Sequence, residues 1–157
     1  MTGKVADEFG GRIRIRVCGL CFNEENILLL NHSGIYGHDF WAPPGGGVNF
    51  GETIEDTIKR EFEEECKTKI RIGKFLFGCE FIRTPFHALE LFYEVESLNP
   101  PRLGGDPELT DHQVISALQY MSEAEIKKLD GSHIHGIFNL VEKPRELKRL
   151  SGFFKLH

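Results

Sequence analysis

One stretch of the chain, residues 41–68, constrains its fold more than any other. It reads WAPPGGGVNFGETIEDTIKREFEEECKT, so a glycine-rich turn leads into a run without Gly or Pro from Thr53 to Lys67. Thr53 is a suitable N-cap, and Glu55 and Asp56 suit the positive end of a helix dipole. The stretch therefore predicts a turn followed by a helix of about four turns.

The predicted helix carries glutamates where apolar side chains are expected. Successive residues advance by about 100° around a helix. The resulting apolar stripe is formed by Ile54, Ile58 and Phe62. Glu61 and Glu65 fall inside or beside this stripe, and Glu64 flanks it. The opposite, solvated side is predicted to carry Asp56, Lys59, Arg60, Glu63 and Lys67. Because like charges that are buried together need a counter-cation or raised pKa values, the inward glutamates indicate a site.

The three glutamates offer carboxylate oxygens at spacings i, i+3 and i+4. Such oxygens suit Mg²⁺ or Mn²⁺, and no Cys or His accompanies them to suggest zinc. Glycines at 45–47 would also allow a close approach of the backbone to a ligand. Two simpler interpretations stand beside this one: a solvated, salt-bridged helix rich in Glu, or a Pro-Gly-Gly-Gly run that is only a tight turn.

The order of these residues resembles the Nudix box: a glycine, a glutamate six positions later, and then Arg-Glu-apolar-x-Glu-Glu. The matching positions are Gly46, Glu52, Arg60, Glu61, Phe62, Glu64 and Glu65. The family pattern ends with a glycine and an apolar residue, whereas this chain has Lys67 and Thr68 there. A left-handed lysine would cost about 1 kcal/mol relative to glycine, or the helix would simply continue. We expect altered helix termination and retained activity.

The resemblance implies an α/β/α sandwich around a central mixed β-sheet. It also implies hydrolysis of a nucleoside diphosphate linked to another group, such as ADP-ribose, a nucleotide sugar or a (d)NTP. In this family, Mg²⁺ or Mn²⁺ would be held by Glu61, Glu64, Glu65 and the Gly46 carbonyl, and would activate a water for attack on phosphorus. Glu64 or Glu65 could orient that water.

The resemblance also assigns a supporting role to Arg60 and Glu52, which are expected to pair and hold the turn against the helix. Two other functions stay open. The first is a Nudix-fold module that senses a nucleotide without cleaving it, although such modules usually have eroded box carboxylates. The second is a structural domain that assembles through Phe153 and Phe154.

Candidate substrate-binding residues lie outside the box. Arg14 belongs to a strand in which three arginines alternate with apolar residues, so the arginines form either a soluble strand face or a phosphate contact. Phe40 and Trp41 lie just before the Pro-Gly turn, where family members often contact substrate, although Trp41 could equally be a core residue. His87 follows a hairpin turn and is either structural or substrate-facing.

Strand patterns fill most of the remaining chain. Residues 12–22 and 27–30 read as one hairpin, 70–82 and 87–95 as a second, and 113–121 as a further strand. In 87–95 we expect the odd-numbered face, from His87 to Val95, to be the core side. Ser122 and Glu125 form a capping box for a short helix to Leu129.

An accessory carboxylate cannot be assigned from the sequence. Glu108 and Asp111 lie in the long 99–112 loop, and Glu90 and Glu94 lie in a strand. The position before the end of the next strand is Gln119.

The whole chain, 1–157, reads as one domain with a core at 12–129 and a C-terminal extension at 130–157. In the extension, residues 140–150 could be helical around Pro144. A net charge of −5 gives no general attraction to nucleic acid or anionic membranes. We expect a cytoplasmic protein with four reduced cysteines and a small nucleoside diphosphate as its partner, and a homodimer is a reasonable expectation for the family.

Overall fold

The structure is a computed structural model that describes residues 3–33, 36–105 and 115–156. Most of its regular elements are strands, with a few helices between them. In chain order they are α1 (Gly3–Phe9), β1 (Ile13–Asn23), β2 (Asn26–His32), β3 (Trp41–Ala42), β4 (Gly45–Gly47), α2 (Ile54–Cys66), β5 (Ile70–Arg83), β6 (Phe86–Ser97), β7 (Ile115–Met121), α3 (Glu123–Lys127) and β8 (Phe153–Leu156). Three 3-10 helices, Gly131–His133, Gly136–Asn139 and Pro144–Arg149, connect α3 to β8.

The strands form a mixed sheet in the order β3-β2-β1-β6-β5-β8, with β4 added to β1 and β7 added to β2. β1 runs parallel to β6 and β8 runs parallel to β5, whereas the β5–β6 and β2–β7 pairs are antiparallel. This arrangement confirms the predicted central mixed sheet. No helix in the described part of the chain has the length and apolarity needed to span a membrane.

Two hydrophobic clusters lie on opposite faces of this sheet. On one face, Ile58 and Phe62 of α2 pack with Val17 of β1. On the other face, Leu20 of β1 packs with Ile137 and Leu147 of the C-terminal segment. Alternate residues of a strand point to opposite faces, so β1 contributes to both clusters. The predicted sandwich is confirmed, and its second layer consists mainly of 3-10 helices.

The C-terminal extension covers a face that we predicted to be exposed. Ala88, Glu90 and Phe92 of β6 are buried, whereas His87 and Leu89 are only half-buried. The predicted odd-numbered core face of β6 is only half of the result, because Leu91, Tyr93 and Val95 pack with α2 while the extension also buries the even-numbered face. Phe154 docks on the body of the protein, with its ring 5.9 Å from that of Phe77.

Smaller sequence predictions have mixed outcomes. Residues 144–149 are helical after Pro144, but the helix is of the 3-10 type. The Ser122 and Glu125 capping box is present at α3. The start of the predicted strand at Gln113 lies outside the described residues, and β7 is described from Ile115. The four cysteines are free and buried.

Candidate active site

The glycine turn lies directly on the inward face of α2. Gly45 donates its N–H to Glu65 Oε1 at 2.9 Å. A Cβ at Gly46 would lie 2.1 Å from Glu61 Oε1, so only glycine allows the backbone to approach this carboxylate. β4 holds the turn in place through antiparallel pairing with β1, in which Gly46 faces Val17.

The helix that carries the carboxylates begins and ends as its sequence indicates. Thr53 caps it by accepting a hydrogen bond from the Asp56 N–H at 3.0 Å. Its end is marked by Lys67, which adopts the left-handed conformation with φ 49° and ψ 38°. Of the two alternatives for the unusual Lys67, the structure therefore shows the left-handed cap.

Arg60 connects the turn to the helix. Its Nε and Nη2 donate to the two oxygens of Glu52 at 2.7 and 3.0 Å, and its Nη2 also donates to the Gly47 carbonyl at 3.2 Å. Its Nη1 donates to Glu61 at 2.8 Å and to Glu64 at 3.3 Å. The hydrogen bonds from Arg60 lower the pKa of Glu52 to about 2.

The placement of Arg60 on the solvated side of the helix is wrong. Its side chain is only 25% exposed, because its long stem carries the guanidinium to the box carboxylates. A helical wheel describes where a Cβ points, and it does not show where a long side chain ends.

The carboxylates differ in burial. Glu61 and Glu65 are buried, whereas the side chain of Glu64 is 24% exposed. In the described part of the chain, no three Asp, Glu, His or Cys side chains are close enough together to hold a metal ion. The positive charge next to Glu61 and Glu64 comes from Arg60. The donor chemistry still fits Mg²⁺ or Mn²⁺, because these residues supply only oxygen ligands around a glycine that leaves room for them.

A cavity of about 380 Å³ opens beside the box and is lined by Gly46, Glu61 and Glu65. Three of the four predicted substrate-binding residues also line it: Arg14, Phe40 and His87. Trp41 does not line this cavity. It packs against the core cluster that includes Ile137 and pairs with Asn31 of β2. Its placement agrees with the alternative interpretation of Trp41 as a core residue.

The arginines of β1 do not form a solvent-exposed face of the strand. Ile13 and Ile15 are exposed, at 63% and 50%, whereas Arg14 and Arg16 line the cavity. The Arg14 guanidinium lies over the Phe9 ring, with its Cζ 4.1 Å from the ring centroid.

Glu90, one of the candidate accessory carboxylates, is buried at the cavity, and the sequence analysis missed only its partner His135. Glu90 of β6 is 5% exposed and accepts a hydrogen bond from His135 Nε2 at 3.0 Å. Burial alone would raise the pKa of Glu90, but His135 and Arg16 outweigh it and lower the pKa to about 2. Burial, followed by the charge of Arg16, lowers the pKa of the nearby His32 to about 3. β6 also carries Glu94 and Glu96, so the strand sequence did not single out Glu90.

The other candidate accessory groups lie elsewhere. Glu94 forms an ion pair with Lys148 at 2.7 Å, and Gln119 donates a hydrogen bond to Glu125 at 2.9 Å. Glu108 and Asp111 are outside the described residues.

Solved structures with the same fold share limited sequence identity with this chain. A NUDIX hydrolase from Nitrosomonas europaea has a TM-score of 0.71 at 15% identity, covering 88% of this chain and 89% of its own. An ADP-ribose pyrophosphatase from Streptococcus suis has a TM-score of 0.62 at 15% identity, covering 90% of this chain and 98% of its own. A UDP-X diphosphatase has a TM-score of 0.68 at 16% identity, covering 98% of this chain and 75% of its own.

The chain matches no curated protein in sequence. It does match the family model of the NUDIX domain over residues 12–140, which is most of its length. The glycine turn, the carboxylate helix and the strands β1 to β7 lie within this range, and only the edge strand β8 of the sheet lies beyond it. The chain therefore belongs to the Nudix hydrolase family, a family of enzymes that act on phosphoric anhydride bonds.

Proposed function

We propose that this protein is a divalent-metal-dependent pyrophosphohydrolase that cleaves a nucleoside diphosphate linked to another group. The observation that carries the proposal is the juxtaposition of Glu61 and Glu65, beneath the glycine turn, with Arg14 and Arg16 in one cavity. Carboxylates suit a hard cation, and guanidinium groups suit phosphate oxygens. A diphosphate is negatively charged. The carboxylates would bind it through their cation, and the arginines would bind it directly.

In this proposal Glu61, Glu64, Glu65 and the Gly46 carbonyl would hold Mg²⁺ or Mn²⁺. When bound, the cation would neutralise charge on the diphosphate and make a water molecule more acidic. Glu65 is fixed by the Gly45 N–H. Glu64 is more accessible to water, so we assign it the role of accepting the proton from the attacking water.

Arg60 and Glu52 keep these groups in position. Their paired hydrogen bonds, together with the bond from Arg60 to the Gly47 carbonyl, tie the turn to the helix. Arg60 also compensates charge on Glu61 and Glu64. Phosphate attack needs donors and acceptors that are held in place before the reaction, which this network provides.

The lining of the cavity suits a nucleotide-type substrate with an aromatic or sugar portion. Phe40 and His87 also line it and offer surfaces for that portion. ADP-ribose, nucleotide sugars and (d)NTPs all carry the required diphosphate. The structures named above as an ADP-ribose pyrophosphatase and a UDP-X diphosphatase make these two groups the first substrates to examine.

Hydrolysis over a panel of these compounds, followed as phosphate after phosphatase treatment, tests the proposal. Glu64→Gln should abolish the Mg²⁺-dependent or Mn²⁺-dependent reaction. Glu63→Gln is the matched control, because Glu63 is the exposed neighbour on the same helix. Full turnover in Glu64→Gln, or turnover in EDTA, would refute the proposal. Nucleotide binding by the wild type without turnover would instead support a nucleotide-sensing module.

We also infer that residues 1–157 form a single domain that acts on a small molecule in the cytoplasm. The packing of the C-terminal segment against the sheet, through Ile137 and Leu147, supports the single domain. A chain truncated after Leu150 loses β8, so it should unfold at lower denaturant concentration than the full chain. Unchanged unfolding would argue that the extension is a separate unit.

A further inference from the structure

Arg16 lies at the cavity with one hydrogen-bond donor of its side chain unpaired among the described residues. Its Nε is buried and has no hydrogen-bond partner in the described part of the protein. The nearest carboxylate oxygen, Glu90 Oε2, is 3.9 Å away, which is too far for a hydrogen bond. A buried charged donor without an acceptor costs free energy, so its presence requires an explanation.

Glu90 is prevented from closing this distance by its other partner. Its Oε1 accepts a hydrogen bond from His135 Nε2 at 3.0 Å. The other ring nitrogen of His135, Nδ1, accepts the Ile137 N–H at 3.3 Å. The proton of a neutral His135 therefore lies on Nε2, and it points at Glu90. The backbone N–H of His135 is also tied to the Trp41 carbonyl at 2.8 Å, which fixes the histidine from a second side.

The sheet places Arg16 next to the box. In the strand register it lies opposite Glu90 of β6 on one side and opposite Gly47 of β4 on the other. Arg14 lies two residues earlier on the same face of β1, and its Nη2 is 3.0 Å from where a Cβ of Gly47 would be. Both arginines line the cavity that contains Glu61 and Glu65. An anion that reaches the box therefore comes close to Arg16.

Two roles are compatible with a buried arginine beside a carboxylate. Arg16 could serve only as the counter-charge of Glu90, with water satisfying its Nε. That role does not explain why the ion pair is held at 3.9 Å while His135 occupies the other carboxylate oxygen. A role in ligand binding does explain it, because Glu90, held by His135, then orients the guanidinium from its buried side and leaves the side that lines the cavity for the ligand.

We propose that Arg16 binds a phosphate oxygen of the substrate inside the cavity through the part of its guanidinium that lines the cavity, and that Glu90 and His135 are positioning residues that hold this guanidinium in place from its buried Nε side. The proposal rests on the proposed function for the identity of the ligand. It assigns a role to Arg16 that differs from that of the box, because Arg16 binds the phosphate and takes no part in activating water.

The test measures nucleotide binding and not turnover. ADP and UDP, and the matching nucleosides adenosine and uridine, are titrated calorimetrically into the protein with Mg²⁺ present. Arg16→Gln should weaken binding of the diphosphate by about tenfold to a hundredfold and leave nucleoside binding unchanged. Arg16→Lys keeps the charge without the planar guanidinium and should show a smaller loss. It also serves if Arg16→Gln does not fold.

Arg71→Gln is the matched control. Arg71 is an exposed arginine on a strand of the same sheet, and it forms an ion pair with Glu96 at 2.7 Å. This substitution should change neither diphosphate nor nucleoside affinity.

Unchanged diphosphate affinity in both Arg16 variants would overturn the inference. So would an equal loss of nucleoside affinity, which would indicate a general structural defect, or a wild type that binds neither diphosphate. If the Arg16 variants weaken binding while the wild type hydrolyses nothing in the panel, Arg16 is still the phosphate-binding residue and only the proposed hydrolysis fails.

Discussion

Replacing Lys67 with glycine should stabilise the protein, although lysine is normally the better helix residue. Lys67 lies just past α2 with φ 49° and ψ 38°, in the left-handed region where a Cβ costs about 1 kcal/mol. Its side chain is exposed, so the substitution removes no packing. The greater flexibility of glycine in the unfolded chain offsets part of the gain. We expect the free energy of unfolding to rise by about 0.5–1 kcal/mol.

Lys59→Gly is the matched control, and it should lower the free energy of unfolding. Lys59 is exposed in the interior of the same helix, where glycine costs about 1 kcal/mol relative to good helix formers. Urea denaturation followed by circular dichroism gives both values, and a change of 1 kcal/mol corresponds to about 2–4 °C in melting temperature for a chain of this size. Lys67→Gly should also retain full hydrolysis. A destabilised Lys67→Gly protein would refute the reasoning about its backbone.

Two further predictions concern the box. Gly46→Ala should lower the free energy of unfolding by about 1–3 kcal/mol and reduce hydrolysis, because the new Cβ would lie 2.1 Å from Glu61 Oε1. Gly105→Ala, where a Cβ meets nothing within 4 Å, should change neither, and equal activity in the two variants would contradict this account. The pKa of Glu52 falls from 4.5 to about 2 through its bond to Arg60, so its stabilisation is complete above pH 4.5 and is lost as the pH falls towards 2. Urea midpoints should therefore decline less steeply over that range in Glu52→Gln than in the wild type, and identical slopes would argue against the pairing as a source of stability.

The box helix could be predicted because its determinants are local. The cap at Thr53, the absence of Gly and Pro, and the inward glutamates all lie within one continuous segment. A helical period then places Glu61 and Glu65 on the buried face, and the structure buries both. The same local logic explains the capping box that begins α3.

The face of β6 could not be predicted because its covering comes from far along the chain. Whether Leu89 or Glu90 faces inward depends on residues around 135, which fold over the strand. The β6 sequence contains apolar residues on both faces, so alternation alone favours neither side. The prediction chose the more apolar odd-numbered face, which does pack with α2, and it missed the burial of the even-numbered face by the extension.

The arginines were difficult for a related reason. An alternating strand shows which residues share a face, but it does not show which face meets solvent. Arg14 and Arg16 face a cavity formed by several separate segments of the chain, while Ile13 and Ile15 are exposed. Arg60 likewise leaves its own helix face to reach Glu52. Long side chains and enclosed polar spaces are decided by tertiary contacts.

The most direct test of the proposed hydrolysis is to run the reaction in water enriched in heavy oxygen and to analyse both products by mass spectrometry. The substrate is the nucleoside diphosphate derivative that the panel identifies, with Mg²⁺ present. The account predicts one heavy oxygen atom in a phosphate group of one product, and no reaction in Glu64→Gln. Products without heavy oxygen in phosphate, or equal labelling in Glu64→Gln, would contradict attack by water on phosphorus at this site.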